Sequence, residues 1–135
     1  MAYEINTGQD VGFQASTDLS AKQFYFVVLN SSKQLAVAGA NVECVGVLQD
    51  TPAAAGRVGQ VRCFGVTKVQ CGGSFNAGDK VASDANGKAV KATAASVSAG
   101  TPEPLAGSLV QGIALEAGAS GQIATVLLTH AGLTN

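Results

Sequence analysis

Apolar positions in this chain fall in short runs broken by glycine, asparagine, serine and aspartate, and helical periodicity is almost absent. A first strand is predicted over 23–29, ended by the turn-prone Asn30, Ser31, Ser32 and Lys33. Shorter strands follow over 35–38 and 42–48. A loop over 49–58 carries Pro52 and three alanines. Predicted strands 59–64 and 66–71 then flank Gly65, where the phase of the apolar positions changes, as at a bulge or sharp bend. Residues 76–90 read as a hairpin turning at Asn86 and Gly87, both of which tolerate positive φ. Strands over 109–115 and 122–128 complete the pattern.

Two stretches lack it. Residues 1–21 hold only the isolated anchors Tyr3, Ile5, Phe13 and Leu19, a spacing that suits an arm packing on something else. Residues 93–108 are Ala, Ser, Thr, Gly and Pro with almost no large apolar residue, a surface loop. The organisation read from this is an N-terminal arm (1–21), a β-domain (22–130) with a surface loop at 93–108, and a C-terminal tail (131–135). The fold class is all-β, a small β-barrel or β-sandwich, tulip-like in one variant, of about eight to nine short strands.

Several strands are apolar on both faces. Phe24, Phe26 and Val28 alternate with Tyr25, Val27 and Leu29, and Ile123 and Leu127 with Ala124, Val126 and Leu128. Such strands need a second cover, for which another subunit is the expected source. A weak internal echo also shows: Gly46-Val47-Leu48 and Gly59-Gln60-Val61 are answered by Gly112-Ile113-Ala114 and Gly121-Gln122-Ile123. The intervening loops differ in length, so this reads as a recurring hairpin design and not as a strict repeat.

Composition sharpens the picture. Only 13% of residues are charged, against about 25% in an ordinary soluble domain, while 23 Ala and 17 Gly make up 40 of 135 positions. Much of the surface is therefore small and neutral. A net charge of −1 with eight scattered Lys and Arg builds no stripe for nucleic acid or anionic membrane. No apolar run approaches the length of a membrane span. The N-terminus has no signal-peptide pattern, which predicts synthesis and first folding in the cytosol. Cys44, Cys63 and Cys71 fit that compartment as small buried thiols, with a Cys63–Cys71 bridge as the alternative.

The residues offer little chemistry. His130 is the sole histidine, so no Ser-His-Asp or Cys-His arrangement and no multi-imidazole zinc site is expected. Asp79, Asp84 and Asn86 supply oxygens but lack the closing Glu of a calcium loop. The carboxylates are scattered, and without Trp there is no sugar platform. No glycine-rich phosphate loop is present. No enzyme activity, cofactor or metal is therefore expected. Arg57 and Arg62 lie in one hairpin, and Arg57 is the one assigned a possible carboxylate on a partner.

Taken in order along the chain, Asp18-Leu19-Ser20-Ala21-Lys22-Gln23-Phe24, Val45-Gly46-Val47-Leu48-Gln49-Asp50-Thr51-Pro52-Ala53, Gly65-Val66-Thr67-Lys68-Val69, Ala77-Gly78-Asp79 running into Asp84-Ala85-Asn86-Gly87-Lys88-Ala89, and Gly112-Ile113-Ala114-Leu115-Glu116-Ala117 resemble the head decoration, or capsid cement, proteins of tailed bacteriophages. The resemblance implies a structural virion protein on the capsid exterior. Its partners would be the major capsid protein and itself, commonly as a homotrimer, with an N-terminal arm on the shell. On that basis Tyr3, Ile5, Phe13, Phe24, Tyr25 and Arg57 become candidate capsid or subunit contacts. A tail or fibre subunit, a host-surface or carbohydrate-binding module, and a small hydrolase are the alternatives.

Overall fold

The apolar runs close into nine antiparallel strands in the computed structural model, which describes residues 9–93 and 108–133. These are β1 (Gln9–Gln14), β2 (Phe26–Leu29), β3 (Leu35–Val37), β4 (Gly46–Leu48), β5 (Val58–Gln70), β6 (Lys80–Ser83), β7 (Ala89–Lys91), β8 (Leu109–Ala114) and β9 (Ile123–Leu133). No helix occurs among the described residues. The all-β class and strand number match the expectation. The strands form one curled sheet in the order β3-β2-β4-β5-β9-β8-β6-β7, with β1 also on β5.

That order is one pattern written twice, and the register repeats with it. Val27 faces Val37 on one side and Gly46 on the other, and Val81 faces Lys91 and Gly112 likewise. Val47 and Leu48 face Arg62 and Val61, as Ile113 and Ala114 face Leu127 and Val126. Asp10, Val11, Gly12, Phe13 and Gln14 lie opposite Arg62 back to Val58, as Val66 to Gln70 lie opposite Leu127 back to Ile123. The turns agree as well. The Asn30 side-chain oxygen accepts from the N–H of Ser32 and Gln34, and that of Asp84 from Asn86 and Lys88; Lys33 (φ 62°) and Gly87 (φ 78°) take the same left-handed position. The chain is therefore two copies of a five-strand unit. The first comprises β1 to β4 and the N-terminal half of β5, the second the C-terminal half of β5 and β6 to β9.

Duplication corrects the reading of the echo. Gly46 and Gly112 are equivalent, but the partner of Gly121 (φ 84°) is Gly56 (φ 85°), not Gly59, since Arg57 donates to Ala54 and Gln122 to Ala119 in the same turn. The loops that looked unequal are nearly equal. Both leading glycines are required by close approach: a Cβ would lie 2.1 Å from the Arg62 carbonyl oxygen at Gly46 and 2.3 Å from that of Leu127 at Gly112.

Each unit buries equivalent positions. Ala15, Val27, Leu35, Leu48 and Val61 form the first core with Leu19; Cys71, Val81, Ala89, Ala114 and Val126 are their counterparts in the second. The other face of the first unit, Phe26, Ala38, Cys44 and Val47, packs on the second core. Strand β2 is thus apolar on both faces because both covers come from this chain, not from a second subunit.

Other boundaries also move. Of the expected arm, residues 1–8 lie outside the described residues. From Gln9 the chain is part of the sheet, and Ala15 and Leu19 are buried, so the segment from Gln9 to Ala21 is body and not a free arm. The strand expected over 23–29 begins only at Phe26. That over 42–48 begins only at Gly46, because the buried Gln111 side chain bonds the backbone before it, accepting from Cys44 N–H and donating to the Val42 carbonyl. Residues 58–70 form one strand instead of two, bent at Gly65 (φ 99°), where the pairing partners change from β1 and β4 to β9. The hairpin through Asn86 and Gly87 is present. Strand β9 continues to Leu133 where a tail was expected, because residues 109–110 pair with it beyond a bulge at His130 (φ 46°). Most of the expected 93–108 loop, residues 94–107, lies outside the described residues; Thr93 and Ser108 at its ends are hydrogen-bonded.

Candidate interaction surface

Potentially reactive groups are tied into the scaffold. The Asp84 carboxylate is occupied by its own turn. His130 bonds the Cys63 carbonyl. Cys63 and Cys71 belong to different cores and all three thiols are free. Burial pushes the Cys44 thiol up to about 12 and raises the other two. No group of three His, Cys, Asp or Glu side chains among the described residues could hold a metal.

One feature of the surface departs from what the fold requires. Lys22, Gln23, Phe24 and Tyr25 form a tight turn closed by Tyr25 N–H on the Lys22 carbonyl at 3.1 Å, with Phe24 at φ 66°. The left-handed region at the third position of such a turn belongs to glycine or asparagine, and a β-carbon there costs on the order of 1 kcal/mol. The second unit shows the relaxed form. Asp79 N–H closes the same turn on Asn76, and the equivalent of Phe24 is Gly78 (φ 86°), each donating its N–H to an equivalent carbonyl, Leu48 or Ala114. Phe24 is held in place because its N–H meets Leu48, its carbonyl accepts from Gln70 and its ring packs on the second core.

Around this turn three lysines converge from three segments. Lys22 Nζ lies 4.9 Å and Lys88 Nζ 5.8 Å from the Tyr25 ring centre, and Lys68 Nζ lies 5.7 Å from that of Phe24. All five side chains are half-exposed. Each cation over a ring face contributes about 0.5–1 kcal/mol. In the second unit the turn is closed on itself: Asp79 accepts from Asn76 N–H and pairs with Lys91 at 3.1 Å. Those two contacts, the backbone N–H first, hold the Asp79 carboxyl below its ordinary value.

The candidate contacts do not form one cluster. Phe24 and Tyr25 share this turn. Phe13 is half-buried against the core of the first unit, whereas Phe24 packs on that of the second; Arg57 is exposed, its carbonyl accepting from Ala15 N–H. Tyr3 and Ile5 lie outside the described residues. The lysines beside the turn were missed because they are far apart in sequence and only the junction of the two units assembles them.

The duplicated β-scaffold can now be set beside known proteins. A family model described as phage cement protein matches residues 5–130. The chain belongs to the phage cement protein family. Among solved structures, the head fiber gp8.5 N base in bacteriophage phi29 matches this cement protein with a TM-score of 0.62 at 17% identity, covering 94% of this chain and 98% of that one. That likeness is one of fold. No curated protein matches. Family membership places the cement protein among virion-associated structural proteins.

Proposed function

We propose that this cement protein binds the outside of an assembled phage capsid, with the major capsid protein as its partner, and stabilises the shell by clamping neighbouring capsomers. The family match over residues 5–130 carries the reading. An expanded shell is held by many modest contacts, so a small gain per copy, repeated over the particle, shifts its stability by mass action. The work is structural and needs no active site. Residues 1–8, with Tyr3 and Ile5, are assigned to the shell, and self-association as a homotrimer is part of the same reading.

The test is to mix purified protein with undecorated shells, measure occupancy by co-sedimentation and follow shell disruption on heating. Decorated shells should withstand a higher temperature; shells that bind protein without any gain would leave attachment but remove the cement role. Deletion of residues 2–8 should reduce occupancy while the domain stays folded. The deletion has to stop before Gln9, because β1 pairs along β5. Copy number per virion separates the alternative of a tail or fibre subunit: hundreds select decoration and about a dozen select the tail. The likeness to the head fiber base is one of fold and does not decide between the two readings.

A further inference from the structure

We propose that the strained aromatic turn at Phe24 and Tyr25, with Lys22, Lys68 and Lys88 around it, is a docking surface for a carboxylate-rich segment of the shell protein. The inference rests on the capsid-binding reading and names the chemistry of one contact within it.

Three observations converge. The first is charge. The chain has eight Lys and Arg in 135 residues, yet the fold brings three lysines against two adjacent aromatic residues, from the 22–25 turn, from β5 and from the 84–88 turn. Among the described residues none of these three is paired with a carboxylate, whereas Arg62 and Lys91 are. Asp84 lies in the same turn as Lys88, but its Oδ1 is taken up by the N–H groups of Asn86 and Lys88, and three cations against one carboxylate leave an excess of positive charge that favours an incoming anion.

The second is the comparison the molecule makes with itself. The equivalent turn of the second unit has glycine at the left-handed position, and its acid, Asp79, takes up both the turn N–H and a lysine. In the first unit Tyr25 stands where Asp79 stands and Phe24 where Gly78 stands. The scaffold therefore tolerates a relaxed, self-neutralised turn, and the first unit carries a strained, cationic one.

The third is rigidity. Phe24 N–H bonds Leu48, the Phe24 carbonyl accepts from Gln70, and Phe26 N–H bonds Gly87, so the turn is fixed to both units. Lysine stems lying along aromatic rings are already partly ordered, which lowers the entropy lost when a carboxylate arrives. A half-exposed aromatic pair with cations at its rim can bury apolar area at its centre and pair charges around it. Net charge and the absence of a basic stripe disfavour nucleic acid as the occupant.

The test compares wild-type protein, the K22E/K68E/K88E variant and a control, K33E/K80E/K91E, with equal charge change placed elsewhere. Urea unfolding first establishes that each is folded. Co-sedimentation with undecorated shells at low salt should show the patch variant binding at least tenfold more weakly and the control within threefold of wild type; wild-type affinity should fall as salt rises. Equal loss in both variants, or full binding by the patch variant, overturns the proposal while leaving capsid binding in place. If wild-type protein does not sediment with shells at all, the capsid reading fails and the patch is judged on a synthetic hexaglutamate peptide alone. NMR titration should then shift Tyr25 and the three patch lysines first. Shifts elsewhere, none at all, or tighter binding of a DNA oligonucleotide than of the peptide, would overturn it.

Discussion

Removing the carboxylate of Asp10 should cost about 3 kcal/mol of folding free energy. Arg62 Nε and Nη2 donate to its two oxygens at 2.8 and 3.1 Å. The Arg62 side chain is 7% exposed and that of Asp10 32%. Breaking a buried ion pair by deleting one member costs about 3–5 kcal/mol, since the other charge is left in a poor solvent, and water at Asp10 places this pair at the low end. The second unit shows how the same cross-strand position is filled without charge: Val66 stands opposite Leu127 as Asp10 stands opposite Arg62. Asp10→Val should therefore be costly, whereas Asp10→Val with Arg62→Leu should recover part of the loss. The double variant still forfeits the other bonds of Arg62, among them that from Nη1 to the Val66 carbonyl at 3.1 Å, at about 1 kcal/mol each, so it should be more stable than Asp10→Val without reaching wild type. Equilibrium urea unfolding of wild type, both single variants and the double variant closes the cycle. With a slope of about 1–3 kcal/mol per molar, the single variant's midpoint should fall by roughly 1–3 M. A loss below about 1 kcal/mol in Asp10→Val, or a double variant as unstable as that single, would refute the reasoning.

Gly46→Ala and Gly112→Ala should each destabilise by more than about 2 kcal/mol in the same assay, because the new methyl meets a backbone carbonyl that cannot turn away; a neutral result at either would contradict the close approach. In native protein at about pH 8, thiol labelling followed by mass spectrometry should modify half-buried Cys63 first and leave Cys44 and Cys71 until unfolding. The Asp79 carboxyl should titrate by NMR with a midpoint below 3.8 and move up in Lys91→Met. Because its folded value is depressed, its contribution to stability is complete above the unfolded value and fades as pH falls through the folded one.

Most of the strand pattern was legible in the sequence because period-two apolar runs and turn residues are local signals. Gly65 announced the bend in β5 through a phase change, and Asn86-Gly87 announced its hairpin. The turn at 22–25 was hidden, since Phe24 and Tyr25 have high strand propensity and nothing local shows that Phe24 adopts φ 66°. The first strand was hidden for another reason: it pairs with β5, far along the chain, and only Val11 and Phe13 mark its inward face. The duplication surfaced only as two glycine-led echoes. Its conserved quantity is register, which different side chains satisfy equally well, as Asp10 with Arg62 and Val66 with Leu127 do.

Duplication also explains how a chain with so few charges can build a chemically distinct surface. Two units with the same register impose the same turn twice, so the positions where they differ show what the shared register leaves open. Gly78 and Asp79 are the choices that local energetics favour: no steric penalty at positive φ, and a carboxylate that closes its own turn. Phe24 and Tyr25 give up both. Packing of Phe24 on the second core and lysines lying over the rings offset that loss, and the three ammonium groups make no ion pair with a carboxylate among the described residues. Phe24→Gly would relieve on the order of 1 kcal/mol of backbone strain but forfeit the packing of the ring on the second core, so the domain itself gains from Phe24. What the scaffold does not call for is three lysines meeting at these rings, where the turn, β5 and the second unit's hairpin join, and that excess of positive charge is what the proposed docking surface would use.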